Sequence, residues 1–140
     1  MSGLTKADYP LAETRPDQIT GKRGIALGDI TLKAVLSGKI TMEDLQITPK
    51  SLQDQARIAA DAGRATLAQN FGRAAELVEV PQDVIMSTYE LLRPGRAPDQ
   101  AALLDRAALL RQTYGANAIA AFIEDAAEVY DKRGLFTRRY

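Results

Sequence analysis

QNFGRAAELVEVP, residues 69–81, reads as the end of an amphipathic helix stopped by a proline. With Leu67 just upstream, Phe71, Ala74 and Val78 follow the i, i+4, i+7, i+11 spacing that gathers them on one helical face. Pro81 has no amide hydrogen to give and cannot extend the turn before it. The stretch holds no nucleophile, no metal ligand and no phosphate loop. Its apolar face therefore serves packing, against this chain or against another.

The same period recurs on both sides. Upstream, TPKSLQDQARIAADAG has Thr48 as N-cap, Pro49 at the first helical position, and Leu52, Ala56 and Ala59 on one face beside Ile58 and Ala62; Gly63 ends it. The next helix runs from about Arg64 to Val78. Gly72 inside it costs roughly 1 kcal/mol against Ala, whether as a tolerated residue or as a point of close backbone approach. Pro81 opens a third helix with Ile85, Tyr89 and Leu92 aligned and Val84 and Leu91 widening the face. Pro94, Gly95 and Pro98 then break the chain. A fourth helix, from about Pro98 to Tyr114, aligns Leu103, Ala107, Leu110 and Tyr114 before Gly115. A fifth, from about Ala116 to Lys132, uses Ile119, Phe122, Ile123, Ala126 and Tyr130, ahead of a basic, aromatic tail, KRGLFTRRY.

No run alternates like a half-buried strand. The class is all-α, a small antiparallel array of about five main helices. Two shorter turns precede it: Thr31 caps a helix through Leu36 that Gly38 ends, and Thr41 with Asp44 three residues on makes a capping pair. Many of the helical faces are alanine, which allows close approach but buries little area per residue. The core is thin for the chain's length, which points to stability shared with a partner.

Residues 1–30 have no period. DYPLAETRPDQITGKRGIALGDI mixes prolines, glycines and charges with the apolar anchors Tyr9, Leu11, Ile19, Ile25 and Leu27. Such a mixture is expected of an irregular arm ordered by a partner. The organisation read from the sequence is a partner-docking arm over 1–30 and a helical domain over 31–140.

Composition narrows function more than it defines it. The 140 residues include 18 basic and 18 acidic side chains, a formal net charge of +0, which offers no basic face for nonspecific nucleic-acid binding. There is no Cys and no His, removing thiol chemistry and the commonest general base and metal ligand. No stretch has the length of a signal peptide's apolar core or of a membrane span, so a soluble, intracellular protein is expected. Adjacent carboxylates, Glu43/Asp44 and Glu124/Asp125, point about 100° apart on a helix and do not converge as an acid–base pair must. Asp125, Glu128 and Asp131 lie near one face, but a hard-cation site also needs turn-forming ligands; Glu128 paired with Lys132 is the simpler expectation. The residues assign no catalytic, cofactor or metal role to this chain.

Of the basic residues twelve are Arg, a residue enriched at protein interfaces. Arg73, Arg93 and Arg96 fall at or near helix ends, where they can pair with Glu76 or Glu90 or with an acidic surface on another chain. The helix–turn–helix at Gly63 also admits a rival, a stand-alone regulatory protein with a DNA-binding unit, which the neutral charge disfavours.

DYPLA near the start, DITLKAVLSGKI after it, the long run ITPKSLQDQARIAADAGRATLAQNFGRAAELVEVPQDVI, YELLRP, and AAFIEDAAEVY near the end come in one order and spacing. In these, from about Asp8 to Lys132, the chain resembles the small (gamma) subunit of adenosylcobalamin-dependent diol and glycerol dehydratases. The resemblance implies a mainly helical, noncatalytic subunit that packs on a large subunit carrying the substrate and metal site. It implies cobalamin held between large and medium subunits, not by this chain, and a dimer of heterotrimers. The holoenzyme then converts propane-1,2-diol or glycerol to the aldehyde plus water by a radical route. Tyr9, Pro10, Leu11, Gly72, Arg73, Arg93, Pro94 and Arg96 are the expected partner-interface residues.

Two departures from that pattern stand out. After LRP the family often carries an aromatic residue; here Gly95 takes its place, so a partner pocket there is filled differently. Some relatives also carry a long N-terminal extension associated with packaging into a bacterial microcompartment. This sequence starts almost directly at DYPLA, so a cytoplasmic protein is expected, with any microcompartment targeting carried by another subunit.

Overall fold

A computed structural model of the chain describes residues 3–136. Among the described residues the architecture is all-α, without a β-strand; an isolated bridge joins Thr20 and Ala26. Three short helices, α1 (Leu11–Thr14), α2 (Leu32–Leu36) and α3 (Met42–Leu45), precede five long ones: α4 (Pro49–Asp61), α5 (Ala65–Leu77), α6 (Gln82–Leu92), α7 (Gln100–Tyr114) and α8 (Asn117–Lys132). They fall into two compact units that divide between Val78 and Glu79.

The first unit is organised by its caps. Thr31 Oγ1 accepts the Ala34 amide at 3.2 Å and starts α2, and Thr48 Oγ1 accepts the Ser51 amide at 3.1 Å with Pro49 at the first position of α4. Gly63, at a φ of +76°, supplies the left-handed turn by which the chain leaves α4. The α4–α5 hairpin then packs along its length, burying Leu52, Ile58 and Ala59 from α4. From α5 it buries Ala75 alone. Leu67 is 37% exposed, and Phe71, Ala74 and Val78 are half-buried, so the face predicted around residues 69–81 lies to one side of the helix contact. A small residue at the centre of the contact lets two helices approach closely, and larger ones then flank it.

The segment before α2 holds more local structure than its sequence suggests. Single 3₁₀ turns at Lys6–Asp8, Pro16–Gln18 and Leu27–Asp29 alternate with α1, and the chain itself satisfies many of the backbone groups expected to seek a partner surface or water. Asp61 at the end of α4 accepts the Lys6 amide at 2.8 Å. Asp8 accepts the Thr5 amide at 2.8 Å and Arg15 Nε at 2.7 Å. Arg23 reaches Asp44 of α3.

In the second unit, Asp99 caps α7 by accepting the Ala102 amide at 2.9 Å, so the helix begins at Gln100 and not at Pro98. Gly115, at a φ of +65°, turns the chain into α8. The seam between α7 and α8 is the best-packed part of the molecule: Leu103, Ala107, Ala116, Ala120, Ile123 and Ala127 are each 0% exposed and Leu110 1%. Alternating small and large residues of this kind interdigitate without voids. Phe122, predicted on this seam, is 45% exposed. On α6 the buried residue is Thr88, while Tyr89, predicted for the packed face, is 59% exposed. Arg106 of α7 holds α6 through Thr88 Oγ1 at 2.9 Å and Ser87 Oγ at 2.7 Å, and the Tyr130 hydroxyl donates to the Leu92 carbonyl at 2.5 Å. The ring of Tyr130 lies 6.2 Å from that of Phe136; the last four residues of the basic tail fall outside the described residues.

Candidate subunit interface

Tyr9, Pro10 and Leu11 point in different directions. Leu11 is 7% exposed and belongs to the first unit's core, whereas Tyr9 is 63% exposed on an extended backbone joined to Pro10 by a cis bond. Buried Leu11 thus holds Tyr9 at the edge of an open groove of about 350 Å³. Ile58 and Ala59 of α4 and Leu67 and Phe71 of α5 line that groove, with Lys6 and Arg64 among its other walls. The structure therefore brings the DYPL segment to α5, a proximity that no spacing in the sequence announces.

Gly72 sits two-thirds of the way along α5, half-buried, and a methyl group added there meets nothing within 4 Å. Among the described residues no backbone makes the close approach that would require a glycine. Next to it, Arg73 Nη1 donates to Asn70 Oδ1 at 2.9 Å. In the second unit, Arg93 pairs with Glu90 at 3.1 Å across one turn, and Gly95, at a φ of +78°, takes the left-handed step of the RPGRAP break. Arg93, Pro94 and Arg96 are exposed around it, and Ala97 behind them is buried.

Three of the acidic residues weighed for chemistry, Asp44, Glu124 and Glu128, are engaged in hydrogen bonds and ion pairs. Glu124 of α8 receives both guanidinium nitrogens of Arg111 of α7, one at 2.9 Å, and that hydrogen bonding holds its carboxyl below the usual range. Glu128 pairs with Lys132 as its spacing predicts. Asp44 closes a capping box on Thr41 while gripping Arg23. No group of three or more acidic side chains that would hold a metal ion occurs among the described residues.

One set of exposed apolar residues was not legible. Leu32 and Leu36 of α2 and Met42 of α3 are 74, 79 and 75% exposed, and Leu45 and Ile47 each 54%. A single helical turn cannot turn all its apolar residues inward, and that shortness, with Thr31 and Thr41 marking the starts, was the available signal.

A family model described as "Dehydratase small subunit" matches residues 4–137. The chain belongs to the dehydratase small-subunit family. The propanediol dehydratase small subunit of Salmonella typhimurium (strain LT2) is 46% identical over 127 residues, 91% of this chain and 73% of that protein. That of Citrobacter freundii is 46% identical over 126 residues, 90% of this chain and 73% of its own. For a dehydratase small subunit the α4–α5 hairpin at Gly63 is a packing element, and the DNA-binding reading falls away. Among the described residues no helix is long and apolar enough to cross a membrane.

Proposed function

We propose that this chain is the noncatalytic small subunit of a cobalamin-dependent diol dehydratase, stabilising the large catalytic subunit within a dimer of heterotrimers. The observation that carries the proposal is its 46% identity, sustained over 127 residues, to a propanediol dehydratase small subunit. The same relatives favour propane-1,2-diol over glycerol as the substrate of the assembly, converted to the aldehyde plus water.

The chain's residues do not fit a corrinoid. It has no His to ligate cobalt. The resemblance to the family implies that adenosylcobalamin sits with the large and medium subunits. The small subunit's part is surface: Tyr9 and Pro10 offered outward by buried Leu11, the open flank of α5 at Gly72 and Arg73, and the exposed turn with Arg93, Pro94 and Arg96. Residues 1–30 act as the docking arm, and an aromatic body with a polar tip, as at Tyr9, suits a partly wet protein contact. The assembly works in the cytoplasm, free or enclosed in a bacterial microcompartment.

Spectroscopy tests the assignment. Adenosylcobalamin titrated into the isolated chain is expected to leave the cofactor's absorption bands unchanged, whereas the chain co-expressed with large and medium dehydratase subunits yields a complex that perturbs them and dehydrates propane-1,2-diol. Tight binding by the chain alone overturns the noncatalytic role.

A further inference from the structure

The groove beside Tyr9 joins apolar walls to positive charge that the chain leaves unpaired. Ile58 and Ala59 of α4, both buried, line it together with Leu67 and Phe71 of α5. Lys6 and Arg64 line it too, and both are exposed. Neither of their side chains pairs with a carboxylate among the described residues, and no acidic residue lines the groove. The carboxylates that adjoin these positions in sequence are already engaged. Asp8 pairs with Arg15, Asp54 is held by both Lys50 and Arg57, and Asp61 accepts the Lys6 amide at 2.8 Å. Even with Asp61 counted at full charge, the groove keeps a positive excess. An apolar concavity with a few converging polar groups is the usual form of a binding site. The Asp61 bond fixes the backbone at Lys6, and a surface built on a fixed backbone loses little entropy on docking.

We propose that this groove seats a short segment of the large subunit in which an apolar side chain stands beside an Asp or Glu. The apolar side chain packs against Ile58, Leu67 and Phe71, and the carboxylate pairs with Lys6 and Arg64. The inference rests on the small-subunit reading above, which supplies the large subunit as partner, and goes beyond it by stating the chemistry of the contact. Gly72 and Arg73, assigned above to the same partner, follow Phe71 directly on α5. Charge selects the occupant. A second copy of this chain meeting the groove in a two-fold contact sets Lys6 and Arg64 against their own counterparts, which opposes self-association. A wholly apolar segment takes two cations partly out of water without a counter-charge, which costs affinity. A carboxylate with an apolar neighbour meets both demands. Tyr9, at the edge and 63% exposed, adds an aromatic ring of the kind enriched in protein contacts.

The test uses the full chain co-expressed with tagged large subunit and with medium subunit. Tyr9 is first replaced by the photo-crosslinker p-benzoylphenylalanine, a similar ring at an exposed position. Irradiation of the assembly is expected to join residue 9 to a large-subunit peptide that carries an Asp or Glu next to an apolar residue. Lys6→Glu combined with Arg64→Glu is expected to leave the free chain's helical content unchanged, since both side chains are exposed. It is expected to weaken retention on the large–medium assembly by about tenfold or more, by a factor that shrinks as salt rises. Lys6→Arg with Arg64→Lys, which keeps both charges, is expected to be retained like wild type. A crosslink to the medium subunit, to a second copy of this chain or to a peptide without a carboxylate overturns the proposal while the subunit reading stands. So does retention of the double glutamate variant like wild type, and so does loss of its helical content, which assigns the two cations to the subunit's own fold. A wild-type chain that is never retained sinks the subunit reading, and this inference with it.

Discussion

Arg23 closes on Asp44 with two nitrogens: Nε donates to Oδ1 at 2.8 Å and Nη2 to Oδ2, while Nη2 also donates to the Lys39 carbonyl at 3.0 Å. The Asp44 side chain is 0% exposed and accepts the Thr41 amide at 2.9 Å as well. One carboxylate thus caps α3 and ties down the segment that precedes α2. A buried carboxylate is tolerable only when so fully bonded.

This clasp makes the first unit sensitive to acid. Hydrogen bonds from Arg23, then from the Thr41 amide, hold the Asp44 carboxyl at about 2, below its ordinary 3.8. A carboxyl depressed by folding stabilises the folded state above its unfolded value and loses that contribution as pH falls toward the folded one. The melting temperature of wild type should therefore exceed that of Asp44→Asn at neutral pH, and the two should converge between about pH 4 and pH 2. A gap that stays constant across that range contradicts the assignment.

Gly21 sets the position of the same clasp. A methyl group at residue 21 would lie 2.7 Å from the backbone carbonyl oxygen of Asp44, too close to be accommodated without displacing one strand of chain from the other. Gly21→Ala is expected to loosen residues 20–26 from α3 and to speed amide exchange there, whereas Gly72→Ala, with open space around it, should not destabilise the free chain. Equal protection in Gly21→Ala and wild type tells against the close approach.

Leu103, at 0% exposure, sits in the α7–α8 seam. Its truncation to Ala should cost about 2–5 kcal/mol, measured by urea unfolding. Arg111→Ala removes a pair whose partners are 39 and 40% exposed, and should cost far less. The reverse order would mean that ion pairing, rather than burial, holds the seam.

Phe71 and Arg73 separate folding from assembly. Phe71 is half-buried, so Phe71→Ala should cost about 1–2 kcal/mol and leave the chain folded, less than full burial would imply. Arg73→Ala should leave stability near wild type but weaken retention on the large–medium assembly. Normal assembly of Arg73→Ala at low concentration would mean that this flank of α5 is solvated.

Local signals in the sequence carried far. Thr31, Thr41 and Thr48 cap where their side chains predict, Gly63 and Gly115 end helices, and the Leu103–Ala107–Leu110 stripe is buried. These features depend on residues within a turn or two of each other. What failed to show was long-range. The Arg23–Asp44 contact spans 21 residues and the Arg106–Thr88 contact 18, and neither leaves a period in the sequence. Periodicity also misassigned Phe122 and Tyr89: it locates an apolar face without saying which side of it meets a neighbour, and the two residues are 45 and 59% exposed. The same blindness hid the exposure of Leu36 and Met42, which follows from helix shortness and not from residue type.

Native mass spectrometry of the complex purified through the large subunit tests the central claim most directly. The account predicts a single assembly of two large, two medium and two small subunits, from which loss of this chain lowers stability and activity. An active large–medium assembly of unchanged stability that never contains this chain would contradict it.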